Sequence, residues 1–200
     1  MKKIVFASLV LMLAMVGMVK ANIYTLQPLP APNHDLWDLD HGYYYAWKIT
    51  PSELNLSSGE IITGASLFFD NIANWDDQPN SLYISLLSGD DLSFTDKVYT
   101  GNDTLGSGDD VLANFAGLPL VTFENLPNWP QDLTYNFTAG DLAILNIFAE
   151  DGIFGIGFDP DCHFLNDGIT FTIETIPEPA TCLLLGLGAV LAIGRKRKRT

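Results

Sequence analysis

The chain predicts an all-β fold: a single antiparallel β-sandwich, jelly-roll-like, with one short helix, flanked by an N-terminal signal helix and a C-terminal hydrophobic helix. Three observations predict it. Apolar residues come in short runs, several of them alternating with polar ones as half-buried strands do. Clusters of Gly, Asn, Asp and Pro separate these runs, which is the turn chemistry of a sandwich. Two apolar end segments of targeting type leave a middle, residues 22–176, of about 155 residues, the size of one domain with a real core.

The N-terminal segment comes first. Lys2 and Lys3 precede an apolar run from Ile4 to Val19, and Val19-Lys20-Ala21 places small or short residues at the −3 and −1 positions of a cleavage site. This is the pattern of a Sec-type signal peptide, residues 1–21, with the Sec translocon and signal peptidase as partners. The run is shorter than the roughly 20 residues that a permanent span needs.

Strands follow. Tyr43, Tyr45, Trp47 and Ile49 alternate and share one face, read as a core stripe. Residues 61–69 form an apolar run bounded by Gly59 and Asp70, and residues 81–87 form a third, stopped by Ser88-Gly89-Asp90-Asp91. Residues 97–100 and 120–123 are shorter candidates, and residues 133–137, 153–158 and 169–176 complete the set. One helix interrupts them over 139–150. Thr138 can cap it, Asp141 lies in its first turn, and Leu142, Leu145 and Phe148 fall on one face. Asp151-Gly152 stops it, and it is expected to cover an open end of the sandwich. No fixed repeat is present, which argues against solenoids and propellers.

Charge sharpens once the ends are set aside. Residues 22–176 keep only Lys48 and Lys97 against 23 Asp and Glu, a net charge of −21. Phosphate binding needs a basic footprint, so nucleic acid is excluded as a partner. Asp outnumbers Glu by 18 to 6 over the whole chain. Short carboxylates in loops suit Ca²⁺, and the competing reading is a solvated acidic surface. Cys182 lies in the C-terminal segment, so Cys162 has no disulfide partner in the middle domain.

The C-terminus has three parts: Pro177-Glu178-Pro179, an apolar stretch over 180–194, and the basic Arg195-Lys196-Arg197-Lys198-Arg199. Fifteen helical residues reach about 22 Å, short of the roughly 30 Å hydrocarbon core, so the helix suits a temporary single-pass hold with its basic end in the cytoplasm. Order and spacing of the parts resemble the PEP-CTERM sorting signal of Gram-negative bacteria, over residues 177–200. The resemblance implies recognition by an exosortase-type membrane enzyme, cleavage near the Pro-Glu-Pro turn, and release to the cell surface or exopolysaccharide matrix. The stretches Leu39-Asp40-His41, Phe69-Asp70-Asn71-Ile72 with Asn74-Trp75, and Phe158-Asp159-Pro160-Asp161-Cys162-His163 also resemble globular parts of other exported proteins with this tag. That likeness brings an expectation of fold and none of activity.

Two acidic clusters carry the metal reading: residues 34–41 and residues 159–168. If the first and last strands lie close, the loops meet and gather Asp38, Asp40, Asp159, Asp161, Asn166 and Asp167 as oxygen donors for Ca²⁺. The EF-hand pattern fails, since placing Gly168 at its sixth position puts His163 first and Leu165 third. A zinc site from His34, His41, His163 and Cys162 lacks compact ligand spacing. A third acidic loop, residues 101–110, is a further cation candidate.

Two loops each carry a tryptophan among polar residues, Asn74-Trp75-Asp76-Asp77 and Asn128-Trp129-Pro130-Gln131-Asp132. Exposed Trp75 and Trp129 would stack on the apolar faces of sugars while neighbouring amides and carboxylates take the hydroxyls. Otherwise each ring folds back to plug the sandwich edge. No HExxH, GxSxG, Walker A or dinucleotide glycine pattern occurs. Asp pairs are too frequent to mark a two-carboxylate glycosidase. Sequons at Asn55, Asn102 and Asn136 carry no expectation of glycans in a bacterium, and Thr170-Phe171-Thr172 is too little for an ice-binding array. The expectation is an exported, non-catalytic surface or exopolysaccharide-matrix protein. A carbohydrate-binding module is the first alternative, and a polysaccharide-active hydrolase or lyase the second.

Overall fold

The computed structural model describes residues 21–28, 36–54, 56, 59–104 and 109–177. The expected signal peptide up to residue 20, most of the sorting tag with its expected hydrophobic helix and Cys182, His34, Asn55 and residues 105–108 of the third acidic loop lie outside these residues. By internal contacts the described residues divide into a main unit, within 23–56 and 62–174, and a small one, residues 21–22, 59–61 and 175–177. In the small unit Asn22 Nδ2 donates to Glu60 Oε1 at 2.7 Å, and the Thr175 hydroxyl donates to the same carboxylate.

The described residues form an all-β sandwich of two sheets. The strands are β1 (Asn22–Leu26), β2 (Asp38–Leu39), β3 (Tyr43–Ile49), β4 (Glu60–Asn74), β5 (Ser81–Ser88), β6 (Val98–Asn102), β7 (Gly117–Glu124), β8 (Gln131–Asn136), β9 (Phe154–Pro160), β10 (Phe164–Leu165) and β11 (Gly168–Pro177). One sheet has the order β1-β11-β4-β10-β2, with β8 also on β4. The other runs β6-β3-β9-β5-β7. Two helices join them, α1 (Pro51–Leu54) and α2 (Ala139–Asp151).

The alternation foreseen in β3 holds from Tyr45 onward: Tyr45, Trp47 and Ile49 are buried. Tyr43 corrects the core-stripe reading, being 41% exposed. The β3–β9 ladder starts at Tyr45↔Phe158, so Tyr43 lies past its end and pairs only with Asn102 of edge strand β6. Between the sheets Phe69 meets Phe158 and Phe123 edge-on, with ring centres 6.0 and 6.2 Å apart, and Trp47 meets Phe171 likewise. Such perpendicular contacts suit the aromatic quadrupole.

β4 runs further than its apolar stretch predicts. The register against β8 shifts between Phe69 and Ile72, and Asn71 takes a φ of 51°. Asn tolerates that left-handed conformation, so the strand bulges at Asp70-Asn71 and continues to Asn74. This extension places Trp75 at the end of the sandwich.

β9 is buried at every position, a pattern that alternation cannot reveal. Phe154, Ile156 and Phe158 join the main core. The intervening positions lie under a second apolar cluster of Ala46, Leu87, Leu92 and Leu112, with Tyr44, Phe94 and Phe115 around it. Asp159 falls on this covered outer side by parity.

Helix α2 matches its predicted signals. Thr138 Oγ1 accepts from the Asp141 N–H at 3.3 Å, and an Asp141 carboxylate oxygen accepts from the Thr138 N–H at 2.7 Å, a reciprocal capping box. Gly152 ends it with φ 96°. Leu145 is fully buried, and Leu142 and Phe148 pack against the core. Asn146 forms an amide clamp on Ile62 of β4, with both bonds 2.9 Å. Among the described residues no helix is long and apolar enough to cross a membrane.

Candidate functional site

The two tryptophan loops lie together. The loop after β4 carries Trp75, and the loop between β7 and β8 carries Trp129. Asn80 joins them: its Nδ2 donates to Leu126 O at 3.0 Å, its Oδ1 accepts from Leu126 N at 2.8 Å, and its carbonyl accepts from Asn125 N at 2.8 Å. Asn74 N adds a bond to Pro127 O at 2.8 Å. Asn80 is 6% exposed, so its amide is committed to this role. The rings stay outside: Trp75 is 62% and Trp129 63% exposed. Neither folds back as an edge plug.

Trp75 has a defined backing. Its N–H donates to His163 O at 3.0 Å, which extends the ladder between β4 and β10. The two rings lie 5.7 Å apart at 34°. The His163 Nε2 meets the Asp38 carboxylate from β2. Asp76 Oδ1 accepts from Asn74 Nδ2 at 3.2 Å and Gln78 N at 2.9 Å, and so shapes the Trp75 loop. Asp77 in this loop and Asp132 after Trp129 are exposed.

The acidic residues named for calcium are divided. Their loops do meet, since β2 pairs with β10 in the register Leu165↔Asp38. Their side chains do not form one set. Asp38 is engaged by His163. Asp40 Oδ1 accepts from Gly42 N and lies 3.2 Å from His41 Nδ1. Asn166 Nδ2 donates to Leu36 O at 2.7 Å and its Oδ1 accepts from Gly168 N. Asp167 Oδ2 accepts from Asn71 Nδ2 at 2.8 Å. Each is used locally: Asp38 on His163 beside β10, Asp40 on its own turn, Asn166 on Leu36 and Gly168, and Asp167 on the β4 bulge.

Asp159 and Asp161 keep different company, with Asp103 and Asp110. Asp159 is fully buried, its Oδ2 accepts from Val111 N at 2.7 Å, and its Oδ1 has no hydrogen-bond partner. Its pKa is pushed up to about 7, by burial first, then by the charges of Asp103, Asp110 and Asp161, against the Val111 N–H. Burial also raises Asp110, with a contribution from Asp161. Asp103 and Asp110 belong to the loop read from sequence as a separate cation candidate; what spacing could not show is that they stand beside Asp159, which accepts from Val111 N. Among the described residues no three His, Cys, Asp or Glu side chains stand as a metal-ligand group. The zinc reading gains nothing, since His41 and His163 each face their own aspartate. Cys162 is a buried free thiol near Asp76.

A groove of about 240 Å³ also opens on the first sheet, lined by Thr63, Ser66, Asn136, Thr172 and Glu174 among others. Phe137 is its only aromatic wall and is 8% exposed, so the groove offers hydroxyl and amide groups without a stacking ring.

Fold and site together define an all-β sandwich with two exposed tryptophans at one end. Residues 175–198 match the family model of the PEP-CTERM protein-sorting motif. The chain therefore carries an exosortase-type sorting tag, the mark of an exported protein held transiently at the membrane by its C-terminus. No curated protein matches it. Among solved structures it is similar to a carbohydrate-binding module of the glycoside hydrolase family 9 protein Cel9A from Ruminococcus flavefaciens FD-1, at 14% identity and TM-score 0.36, over 76% of this chain and 97% of that one. It is also similar to a latent aurone synthase (8% identity, TM-score 0.37, 76% and 29% covered) and to a protein of Desmodium yellow mottle tymovirus (10%, 0.35, 80% and 87%). At these scores the likenesses carry no argument about activity.

Proposed function

We propose that the chain is an exported, non-catalytic protein of the cell surface or exopolysaccharide matrix, and that an exosortase-type enzyme cleaves it near Pro177-Glu178-Pro179. The sorting motif carries this reading. Its order of turn, short apolar stretch and basic stop suits a hold that ends in release. Mass spectrometry of fractionated cells should find the mature protein outside the inner membrane and without residues 195–199. Mature protein in the inner membrane that keeps them refutes the release.

A second reading, glycan contact through Trp75 and Trp129, is favoured by their exposure on loops that Asn80 fixes to each other. A polysaccharide panel separates it from the hydrolase or lyase alternative, since a binder retains glycan unchanged and an enzyme shortens it. For calcium, we propose the Asp159 side in place of the six-residue set, where an ion would have to draw Asp103, Asp110 and Asp161 in, because the Asp159 side chain is buried with its Oδ1 outside any hydrogen bond and those three charges add to burial in raising its pKa. Melting with CaCl₂ and with EDTA tests it, since an ion bound to the folded state adds stability. Identical melts refute it.

A further inference from the structure

We infer that the Trp75 and Trp129 end prefers a polysaccharide with free amino groups, an amino-sugar polymer, over acidic and fully N-acetylated chains. This rests on the glycan-contact reading above and adds the charge of the sugar. Stacking on tryptophan alone does not discriminate, because every pyranose has an apolar face. The groups around the rings do. Asp38, whose side chain is 54% exposed, stands against the imidazole that backs Trp75. Asp77 lies two residues after Trp75 and Asp132 three after Trp129, both exposed.

No positive group offsets them. Lys48 and Lys97 are the only Lys or Arg in residues 22–176. The Lys48 ammonium donates to Phe94 O and sits 4.8 Å from the centre of the Phe94 ring. Lys97 Nζ is 2.7 Å from Glu53 Oε1, donates to Gln27 O at 2.7 Å, and lies over Trp47. His41 and His163 each already face an aspartate. A uronate or sulfate brought to this end finds carboxylates and no cation to pair with. An ammonium finds carboxylates and the tryptophan faces, which attract cations.

The test uses the full chain in mild detergent, on immobilised chitosan, its N-acetylated counterpart chitin, and polygalacturonate. Retention on chitosan should exceed that on chitin by about tenfold, a difference of one decade in affinity. It should weaken as NaCl rises past about 0.1 M, where the Debye length is roughly 10 Å. Any acidic protein adsorbs to a polycation, so the variants decide. Trp75→Ala with Trp129→Ala leaves the charge intact and should remove the retention. Asp77→Asn changes an exposed carboxylate outside the His163 backing, leaves the rings intact and should narrow the chitosan-to-chitin ratio. Melting curves confirm that each variant is folded. Unchanged chitosan retention in the folded double tryptophan variant overturns the inference as plain charge adsorption. Equal retention on chitin, or tighter retention on polygalacturonate, overturns the amino-sugar preference and leaves glycan contact standing. Retention on none of the three overturns both.

Discussion

Asp159 sits where a carboxylate is least stable, on a central strand, fully buried, with one oxygen outside any hydrogen bond. Its folded pKa of about 7 stands above the ordinary 3.8, so between those values the folded chain binds more protons than the unfolded one. Stability therefore falls as pH rises through that window and stays reduced above it. Asp159→Asn can still accept the Val111 N–H and carries no charge. Its melting temperature should match the parent near pH 4 and exceed it at pH 8. Parallel curves across the range would count against the buried charge. If calcium binds there, CaCl₂ raises the parent's melting point at pH 8 and not that of the variant. Asp141 behaves oppositely. Burial alone would raise it, but the Tyr135 hydroxyl and the Thr138 N–H and hydroxyl outweigh that and hold it low. The stability it lends is present above its unfolded pKa and is lost as pH falls through the folded one. Asn80→Ala is a third residue test. It strands Leu126 N and O in a buried place and should cost about 1–3 kcal/mol, read by urea unfolding.

At the scale of elements, the two glycines Gly140 and Gly155 separate what packing forbids from what propensity favours. A Cβ at Gly155 of β9 would stand 2.7 Å from Trp47 O and 2.9 Å from Leu92 Cδ1. Gly155→Ala must push strand β3 or the outer cluster and should destabilise by about 1–3 kcal/mol. At Gly140, in the first turn of α2, the nearest atom would be Thr138 Oγ1 at 3.6 Å, so Gly140→Ala should be neutral or stabilising. Comparable melts for both would contradict the packing at β9. Elements with local chemistry were legible in the sequence: α2 through its cap and stop, β3 and β5 through their apolar runs. β2 and β10 were not, because strands of two residues exist only through each other and β4. The exposed tryptophans were nameable from their polar neighbours, but their adjacency was not. It depends on the bulge that lengthens β4 and on Asn80, which reads in sequence as an ordinary turn residue. The division of the side chains named for calcium was not legible because it depends on parity and partners: β9 turns Asp159 to the outer side of its sheet, while Asp38 meets His163 and Asp167 meets Asn71 at the β4 bulge.

For the whole molecule, charge is the dominant theme. Residues 22–176 carry −21, and like charges at this density repel within the compact state. Raising NaCl from about 0.02 M to about 0.5 M shortens the Debye length severalfold and should raise the melting temperature. A fall with salt would mean that attractive pairs dominate instead. The engagement of Lys48 and Lys97 has a further consequence, in peptide chemistry. From Ala21 to Gly194 they are the only residues after which trypsin can cut, and both, Lys48 on β3 and Lys97 just before β6, have their ammonium groups occupied. The folded domain therefore presents almost nothing to a protease of that specificity. Even the unfolded chain would leave residues 98–195 as one peptide.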